Sequence, residues 1–282
     1  MISALSARTS QLDPSLPVAM FDSGVGGLTV LHECLVSLPQ EDFVYLGDTA
    51  MFPYGNRDPA WLRARVARIA ELLLDRGAKL LVIACNTATS VGEDVARELA
   101  GTRGVAVVPV VEPQAEIAAA ITANARVGVL ATPNTVESGA YRRALEAQGR
   151  GLEVTEVEAP ELAPFIQDGS LFDEETMAMA RSYCAPLKAA EVDTLILGCT
   201  HYPLVSPMLQ RILGRDVRLV SGGHAVAAAV QRTLEGASLA RSSAGEGAYD
   251  FLCTGDPDSF HAVGTRFLQM PLGAVERVEI PA

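Results

Sequence analysis

Two similar stretches decide how this chain is interpreted: LLVIACNTAT at Leu80–Thr89 and TLILGCTHYP at Thr194–Pro203. Each has a run of aliphatic residues, one small residue, a cysteine, and then hydroxyl or amide side chains. At similar distances upstream, another strand pattern ends in a polar turn, AMFDSGVGG before Cys85 and GVLATPNTV before Cys199. An internal repeat of this kind indicates two similar α/β halves. We therefore expect the two cysteines to lie at corresponding strand ends and to face each other across a cleft.

Outward from these stretches, short β-branched runs alternate with longer helical patterns from Pro17 to Val220, which is typical of βα units and a parallel sheet. The predicted strands are Val18–Phe21, Phe43–Leu46, Leu80–Ala84, Val105–Val111, Arg126–Ala131, Val154–Glu158, Thr194–Leu197, Val217–Val220 and, near the end, Tyr249–Leu252.

Helix boundaries are marked by local signals. Apolar residues at helical spacing predict a helix over Leu28–Leu38, which Pro39 stops. Asp58 as N-cap, Pro59 at the first helical position and Gly77 just past the end predict a second helix. The segment Ala225–Leu234 predicts a helix that returns to cover the first half.

The predicted fold is α/β, with two pseudo-symmetric α/β domains, mostly parallel central sheets and the active site in the cleft between them. Residues 1–16 would form an N-terminal extension. Residues 17–111 together with 222–282 would form the first domain, and residues 112–221 the second.

Composition excludes several classes of protein. The 282 residues are 49% hydrophobic and 20% charged, which fits a globular chain with a packed core and not a disordered one. A net charge of −12 disfavours nucleic acid as the main partner. The longest apolar runs are too short to cross a bilayer, and residues 1–16 lack the pattern of a secretory signal, so we expect a cytoplasmic protein without membrane partners.

The five cysteines are odd in number, widely spaced and without a C-x-x-C pair, which disfavours disulfides and a zinc ribbon. Cys34, Cys184 and Cys253 are interpreted as core residues. Cys85 and Cys199 each lie where a strand meets a helix N-terminus, a setting expected to lower a thiol pKa. No cluster has metal-ligand spacing.

Four polar turns fall at the carboxyl ends of predicted strands, where α/β proteins bind ligands. They are Asp22-Ser23-Gly24, Gly47-Asp48-Thr49 with Pro53-Tyr54-Gly55 downstream, Cys85-Asn86-Thr87, and Cys199-Thr200-His201. A nucleotide loop is disfavoured, because Thr29 stands where the glycine-rich motif needs its last glycine. Asp48 and Thr49 are interpreted as turn residues that shape the site.

Two thiols on opposite walls of one cleft suit racemisation. Inverting a carbon requires one group to remove the Cα proton from one face and another to deliver a proton to the opposite face, with the roles exchanged for the other enantiomer. Asp22 is either a turn or cap residue, or a group that pairs with a substrate ammonium or helps to deprotonate Cys85. His201 is either a buried structural histidine, or a group that assists proton movement or stabilises the thiolate of Cys199. A thiol hydrolase, which needs one cysteine, and a catalytically silent amino-acid-binding protein remain alternatives.

Four separated motifs resemble the glutamate racemases: DSGVGGLTV from Asp22, GDTAMFPYGNR from Gly47, ACNTAT from Ala84 and GCTHYPL from Gly198. The resemblance implies an enzyme that needs neither pyridoxal phosphate nor metal and supplies D-glutamate for bacterial peptidoglycan. It implies Cys85 and Cys199 as catalytic residues, with Asp22 and His201 as their auxiliary groups. The substrate-binding residues it implies are Asp22, Ser23, Tyr54, Gly55, Asn86, Thr87, Thr200 and His201.

The implied partner is L- or D-glutamate, and a homodimer is one option that the sequence leaves open. An aspartate racemase of the same superfamily is the nearest alternative. Two positions depart from the family pattern. Gln167, with Asp168 beside it, stands where members often carry a glutamate, and Ser221 stands where an aspartate is common.

Overall fold

The computed structural model describes residues 12–242 and 245–281. Within this part of the chain, ten strands form two sheets in which every pair of neighbours is parallel. The strands are β1 Val18–Asp22, β2 Phe43–Gly47, β3 Leu80–Ile83, β4 Ala106–Pro109, β5 Arg126–Ala131, β6 Glu153–Glu158, β7 Thr194–Gly198, β8 Arg218–Val220, β9 Tyr249–Cys253 and β10 Val275–Arg277.

Helices connect these strands. They are α1 Leu28–Ser37, α2 Pro59–Asp75, α3 Asn86–Gly101, α4 Val111–Ile121, α5 Pro133–Glu137, α6 Ala140–Glu146, α7 Leu162–Asp168, α8 Glu174–Ala189, α9 Ser206–Leu213, α10 Gly222–Gly236 and α11 Pro257–Leu268, with short 3-10 turns at Thr49–Met51 and Tyr202–Val205. No helix of the described ranges is both long enough and apolar enough to span a membrane.

The predicted repeat is present in the topology of the sheets. The larger sheet has the order β10–β9–β2–β1–β3–β4 and the smaller one the order β6–β5–β7–β8. The block β2–β1–β3–β4 therefore recurs as β6–β5–β7–β8. In this comparison β3 corresponds to β7, so Cys85 and Cys199 follow equivalent strands, as predicted.

Burial explains the aliphatic runs of the central strands. Every residue of β1, β3 and β7 is buried, because helices cover the sheets on both faces. One hydrophobic cluster includes Val82 of the first sheet and Val129 of the second, so the core continues between the halves. The domain boundaries given above remain a prediction.

Two differences from the sequence prediction exceed a single residue at a strand end. The strand predicted over Val105–Val111 is limited to β4, and helix α4 already begins at Val111. Pro113 can occupy the first turn of that helix, because the N–H it lacks would have no partner inside the helix there. Strand β10 was not predicted, since Val275 is followed by the exposed, charged Glu276 and Arg277, which give no apolar run.

The helix signals are confirmed. Asp58 Oδ1 accepts a hydrogen bond from the backbone N–H of Trp61 at 2.8 Å, and Gly77 has a φ of 85° just beyond α2. Helix α10 packs against α1 of the first half. A Cβ on Gly223 would meet the Thr29 carbonyl oxygen at 3.1 Å, so the two helices approach closely at a glycine.

Candidate active site

A cavity of about 20 Å³ lies between the two halves, at the carboxyl ends of β1, β3 and β7. It is lined by Ser23, Phe52, Pro53, Tyr54, Gly55, Cys85, Asn86, Thr87, Thr132, Ala163, Cys199, Thr200 and His201. Every predicted site residue except Asp22 is in this lining. The volume holds about one water molecule, so the halves must separate to admit a ligand the size of an amino acid.

Cys85 connects strand β3 to helix α3. Its Sγ accepts a hydrogen bond from the backbone N–H of Ala88 at 3.4 Å, so the thiol caps the N-terminus of α3. Burial raises the pKa of Cys85 to about 12, and the nearby charge of Asp22 adds to the shift. The expectation of a lowered thiol pKa is therefore wrong for this closed arrangement, because loss of solvation outweighs the effect of the helix N-terminus.

Cys199 occupies the equivalent place after β7. It is 8% exposed, and burial raises its thiol pKa well above the usual range. Its Sγ lies 3.8 Å from Nδ1 of His201. This contact gives the thiol a proton acceptor two residues away in the chain.

His201 is held in an apolar slot. Its ring centroid lies 5.2 Å from that of Phe52 and 5.0 Å from that of Phe267. Burial lowers the pKa of His201 to about 3, so the ring is neutral near pH 7. Its Nε2 lies 3.0 Å from Oε1 of Gln167. With that carbonyl oxygen as acceptor, the proton is on Nε2, and the Nδ1 lone pair faces the Cys199 thiol.

Asp22 lies beneath the cavity at the end of β1, and its side chain is fully buried. Its carboxylate accepts the Gly24 N–H at 2.9 Å and the Thr200 hydroxyl at 3.2 Å. Burial raises the pKa of Asp22, and these hydrogen bonds oppose the shift only in part. Asp22 thus contacts the Thr200 side of the site and acts electrostatically on Cys85.

The glycine-rich turn after Asp22 allows the chain to pass under the second half. A Cβ on Gly26 would collide with the side chains of Thr200 and His201. This close approach, and not a phosphate loop, accounts for the glycine at that position.

The departures from the family pattern have different outcomes. Gln167, on α7, contacts His201, as described above. Asp168 is exposed at the end of α7. Ser221 is the N-cap residue of α10, and its side chain makes no capping hydrogen bond.

Hydrogen bonds close the cavity between the halves. The side-chain amide of Asn134 donates to the carbonyl oxygens of Tyr54 at 3.0 Å and Arg57 at 2.8 Å. The backbone N–H of Asn134 donates to the carbonyl oxygen of Gly55 at 3.0 Å. The hydroxyls of Thr87 and Thr132 lie 2.9 Å apart. The loop carrying Tyr54 is thereby fixed to the second half.

Asp48 has a larger role than that of a turn residue. It is fully buried and receives two hydrogen bonds from Arg65, at 2.7 and 2.8 Å, one from Thr254 at 2.7 Å and one from the Tyr54 hydroxyl. Because Tyr54 lines the cavity, this cluster fixes one wall of the site.

Several lining residues escaped the sequence analysis. Phe52, Pro53 and Ala163 offer no polar group, so nothing in their chemistry marks them. Thr132 also lines the cavity; it follows β5, the strand that corresponds to β1, so the repeat itself indicates its position. In the described ranges, no group of three His, Cys, Asp or Glu residues is arranged to hold a metal ion.

Comparisons with known proteins identify the family of this chain. The family profile described as Asp/Glu/Hydantoin racemase matches residues 32–230. The glutamate racemase of Geobacter metallireducens is 40% identical over 269 residues, which cover 95% of this chain and 98% of that protein.

Solved structures give the same result. The glutamate racemase isoform RacE1 of Bacillus anthracis superposes with a TM-score of 0.89 and 31% identity, covering 94% of this chain and 98% of that one. The glutamate racemase of Francisella tularensis, solved in complex with D-glutamate, gives a TM-score of 0.88 and 30% identity over 95% and 98% of the two chains.

Proposed function

The chain belongs to the Asp/Glu/Hydantoin racemase family, as an enzyme of its glutamate racemase group, and we propose that it interconverts L- and D-glutamate by moving the Cα proton between two thiols. The observation that carries the proposal is that Cys85 and Cys199, which follow equivalent strands of two different sheets, line one small cavity. A two-base inversion needs such groups on opposite faces of the carbon.

Each cysteine is assigned one direction of the reaction. Cys85 removes the Cα proton of D-glutamate while Cys199 delivers a proton to the other face, and the roles are exchanged for L-glutamate. This assignment follows the resemblance stated above. It is supported by the placement of Asp22 near Cys85 and of His201 beside Cys199.

In each direction, the cysteine that acts as the base must first lose its proton while the other stays protonated, since burial keeps both thiols protonated in the closed free enzyme. On the Cys199 side, the neutral ring of His201 accepts the thiol proton at Nδ1, and the thiolate then takes the Cα proton of L-glutamate. On the Cys85 side, the carboxylate of Asp22 accepts the thiol proton, which also removes the negative charge that raises the pKa of Cys85. The substrate ammonium then supplies positive charge that favours the thiolate.

Polar groups of the lining bind the substrate. Ser23, Tyr54, Gly55, Asn86, Thr87, Thr200 and His201 are the proposed contacts, together with Asp22. The first backbone N–H groups of α3 are suited to a carboxylate. In the closed cavity, water exclusion strengthens these interactions as negative charge develops at Cα. The D-glutamate formed would serve peptidoglycan synthesis, as the resemblance implies.

The test is an exchange experiment in deuterium oxide. Purified protein is incubated with L-glutamate without pyridoxal phosphate, and optical activity and Cα deuterium are followed together. We expect loss of optical activity with deuterium in the product for the wild type, and no inversion for Cys85→Ala or Cys199→Ala. Cys184→Ala is the matched control, because Cys184 is a buried free cysteine on α8 outside the cavity lining.

The other outcomes contradict specific parts of the proposal. Full inversion by either single variant would refute the paired-thiol mechanism. Exchange of aspartate but not glutamate by the wild type would assign the enzyme to aspartate. Binding of glutamate without any exchange would indicate a silent binding protein.

A further inference from the structure

A network of buried amide and hydroxyl groups joins the two halves beside the cavity. It consists of Asn86 at the start of α3, Gln114 on α4 and Tyr141 on α6, which are 3%, 0% and 0% exposed. Asn86 lines the cavity, whereas Gln114 and Tyr141 lie behind it. The proton transfers proposed above use neither Gln114 nor Tyr141.

The orientation of the Gln114 amide is determined by two strands of the second sheet. Its Nε2 lies 3.2 Å from the carbonyl oxygen of Leu197 in β7 and 3.2 Å from that of Val220 in β8. Carbonyl oxygens only accept hydrogen bonds, so the NH₂ group must be on this side. The amide oxygen Oε1 of Gln114 consequently points toward Asn86 and Tyr141.

The Asn86 amide is oriented in turn. Oε1 of Gln114 can only accept, so the group of Asn86 that lies 3.0 Å from it is the donor Nδ2. The same Nδ2 lies 2.6 Å from the Tyr141 hydroxyl, which itself donates to Oε1 of Gln114. Both protons of Nδ2 are therefore used within the network.

The carbonyl oxygen Oδ1 of Asn86 is the group left for a ligand. Nothing in residues 12–242 or 245–281 donates a hydrogen bond to it. An amide oxygen accepts from an ammonium group but cannot donate to a carboxylate. The chemistry that Asn86 offers the cavity is set by residues that do not touch the ligand.

We propose that Gln114 and Tyr141 are positioning residues that hold the Asn86 side chain with its carbonyl oxygen toward the cavity, where it accepts a hydrogen bond from the substrate ammonium. The inference rests on the proposed function. It explains how the site distinguishes an amino acid from a dicarboxylate that has no amine. If the network is broken, the Asn86 amide can rotate and present Nδ2 to a carboxylate instead.

The experiment compares glutamate with glutarate, which has both carboxylates and no ammonium. KM for D-glutamate and the inhibition constant of glutarate are measured for the wild type, Gln114→Met and Tyr141→Phe. Their ratio reports selectivity for the ammonium. Because a hydrogen bond to a charged group is lost, we expect the preference for glutamate to fall about tenfold or more in both variants.

Tyr202→Phe is the matched control. Tyr202 is as buried as Tyr141 and belongs to the same half, but its hydroxyl donates to the Ala159 carbonyl at 3.0 Å, outside the network. It should lose stability to a similar extent as Tyr141→Phe and keep the selectivity ratio of the wild type. If Gln114→Met does not fold, Tyr141→Phe carries the test alone.

An unchanged ratio in folded Tyr141→Phe would overturn the inference, and so would an equal fall in Tyr202→Phe, which would indicate a general packing effect. These results leave the proposed function intact, since the wild type still racemises glutamate. A wild type that does not racemise glutamate overturns the proposed function and this inference with it.

Discussion

At the scale of single residues, loss of solvation decides the chemistry of the site. Cys85, Cys199 and His201 are all buried, and in each case burial favours the neutral form. In the free enzyme both thiols are therefore protonated, and the imidazole beside Cys199 is neutral. Catalysis requires the substrate charges, or the neighbouring acid and base groups, to shift these equilibria.

Gln167→Glu should change the pH dependence of the reaction. An ionised carboxylate at the position of Oε1 would raise the pKa of His201 from about 3, by roughly 1–3 units according to the usual effect of a close opposite charge. Below the new pKa, Nδ1 carries a proton and cannot accept one from Cys199. The acidic limb of the kcat/KM profile should thus move to higher pH.

The measurement is kcat/KM for glutamate across pH 4–9, a range chosen to bracket an unperturbed histidine at ~6.5. The wild type should show no acidic limb from His201 near the usual histidine pKa. Gln148→Glu makes the same substitution at the end of the α6 segment, away from the cavity, and should leave the profile unchanged. Identical profiles for wild type and Gln167→Glu would contradict the assigned role of the Gln167–His201 contact.

At the scale of elements, the end of β2 is anchored by helix α2 and the last described residues. The guanidinium of Arg65, on α2, donates to Asp48 after β2 and also to the carbonyl oxygens of Ile280 at 2.8 Å and Pro281 at 3.1 Å. A surface ion pair at the C-terminal end of the same helix joins the C-cap residue Arg76 to Glu276 of β10. The two pairs differ mainly in burial.

Arg65→Met should destabilise the fold far more than Arg76→Met. Removing Arg65 leaves the Asp48 carboxylate buried without its counter-charge, which typically costs about 3–5 kcal/mol. The exposed pair should contribute less than about 1 kcal/mol. Urea denaturation gives the free energy of unfolding of each variant. An equal loss in the free energy of unfolding in the two variants would mean that the buried pair stabilises the fold no more than the exposed pair does.

At the scale of the whole molecule, the two halves close over a cavity of about 20 Å³. Asn134 of the second half is bonded to the loop at Tyr54, Gly55 and Arg57 of the first half. These contacts must break when substrate enters or product leaves. Motion of the halves is therefore part of the catalytic cycle proposed here.

Asn134→Ala should make the thiols more accessible. Loss of its two side-chain hydrogen bonds favours the open arrangement by roughly 1–3 kcal/mol, which corresponds to about a five- to 150-fold greater open population. Alkylation of Cys85 and Cys199 by iodoacetamide, followed by mass spectrometry of the two peptides, reports this population. Saturating glutamate should slow the modification.

Ser138→Ala is the control for this prediction. Ser138 follows the same short helix, but its hydroxyl donates to the Thr135 carbonyl within the second half. It should alkylate at the wild-type rate. If Asn134→Ala also reacts at that rate, these contacts do not limit opening.

Most of the elements and the position of the cysteine pair could be predicted from the sequence. Aliphatic runs gave the central strands, Asp58 and Gly77 marked the ends of α2, and the repeat placed Cys85 and Cys199 on equivalent strands. These features depend on side-chain spacing and backbone preferences over a few residues, which the local sequence contains.

The environments of these residues could not be predicted from the sequence, because they arise from the tertiary structure. It reversed the expected thiol pKa shift at Cys85, made Asp48 the centre of a buried cluster, and brought Gln114 and Tyr141 to Asn86. Desolvation and hydrogen-bond partners arise from segments far apart in the chain, such as α4, α6 and β7. Their effect on a side chain is set by packing in three dimensions, which no local pattern encodes.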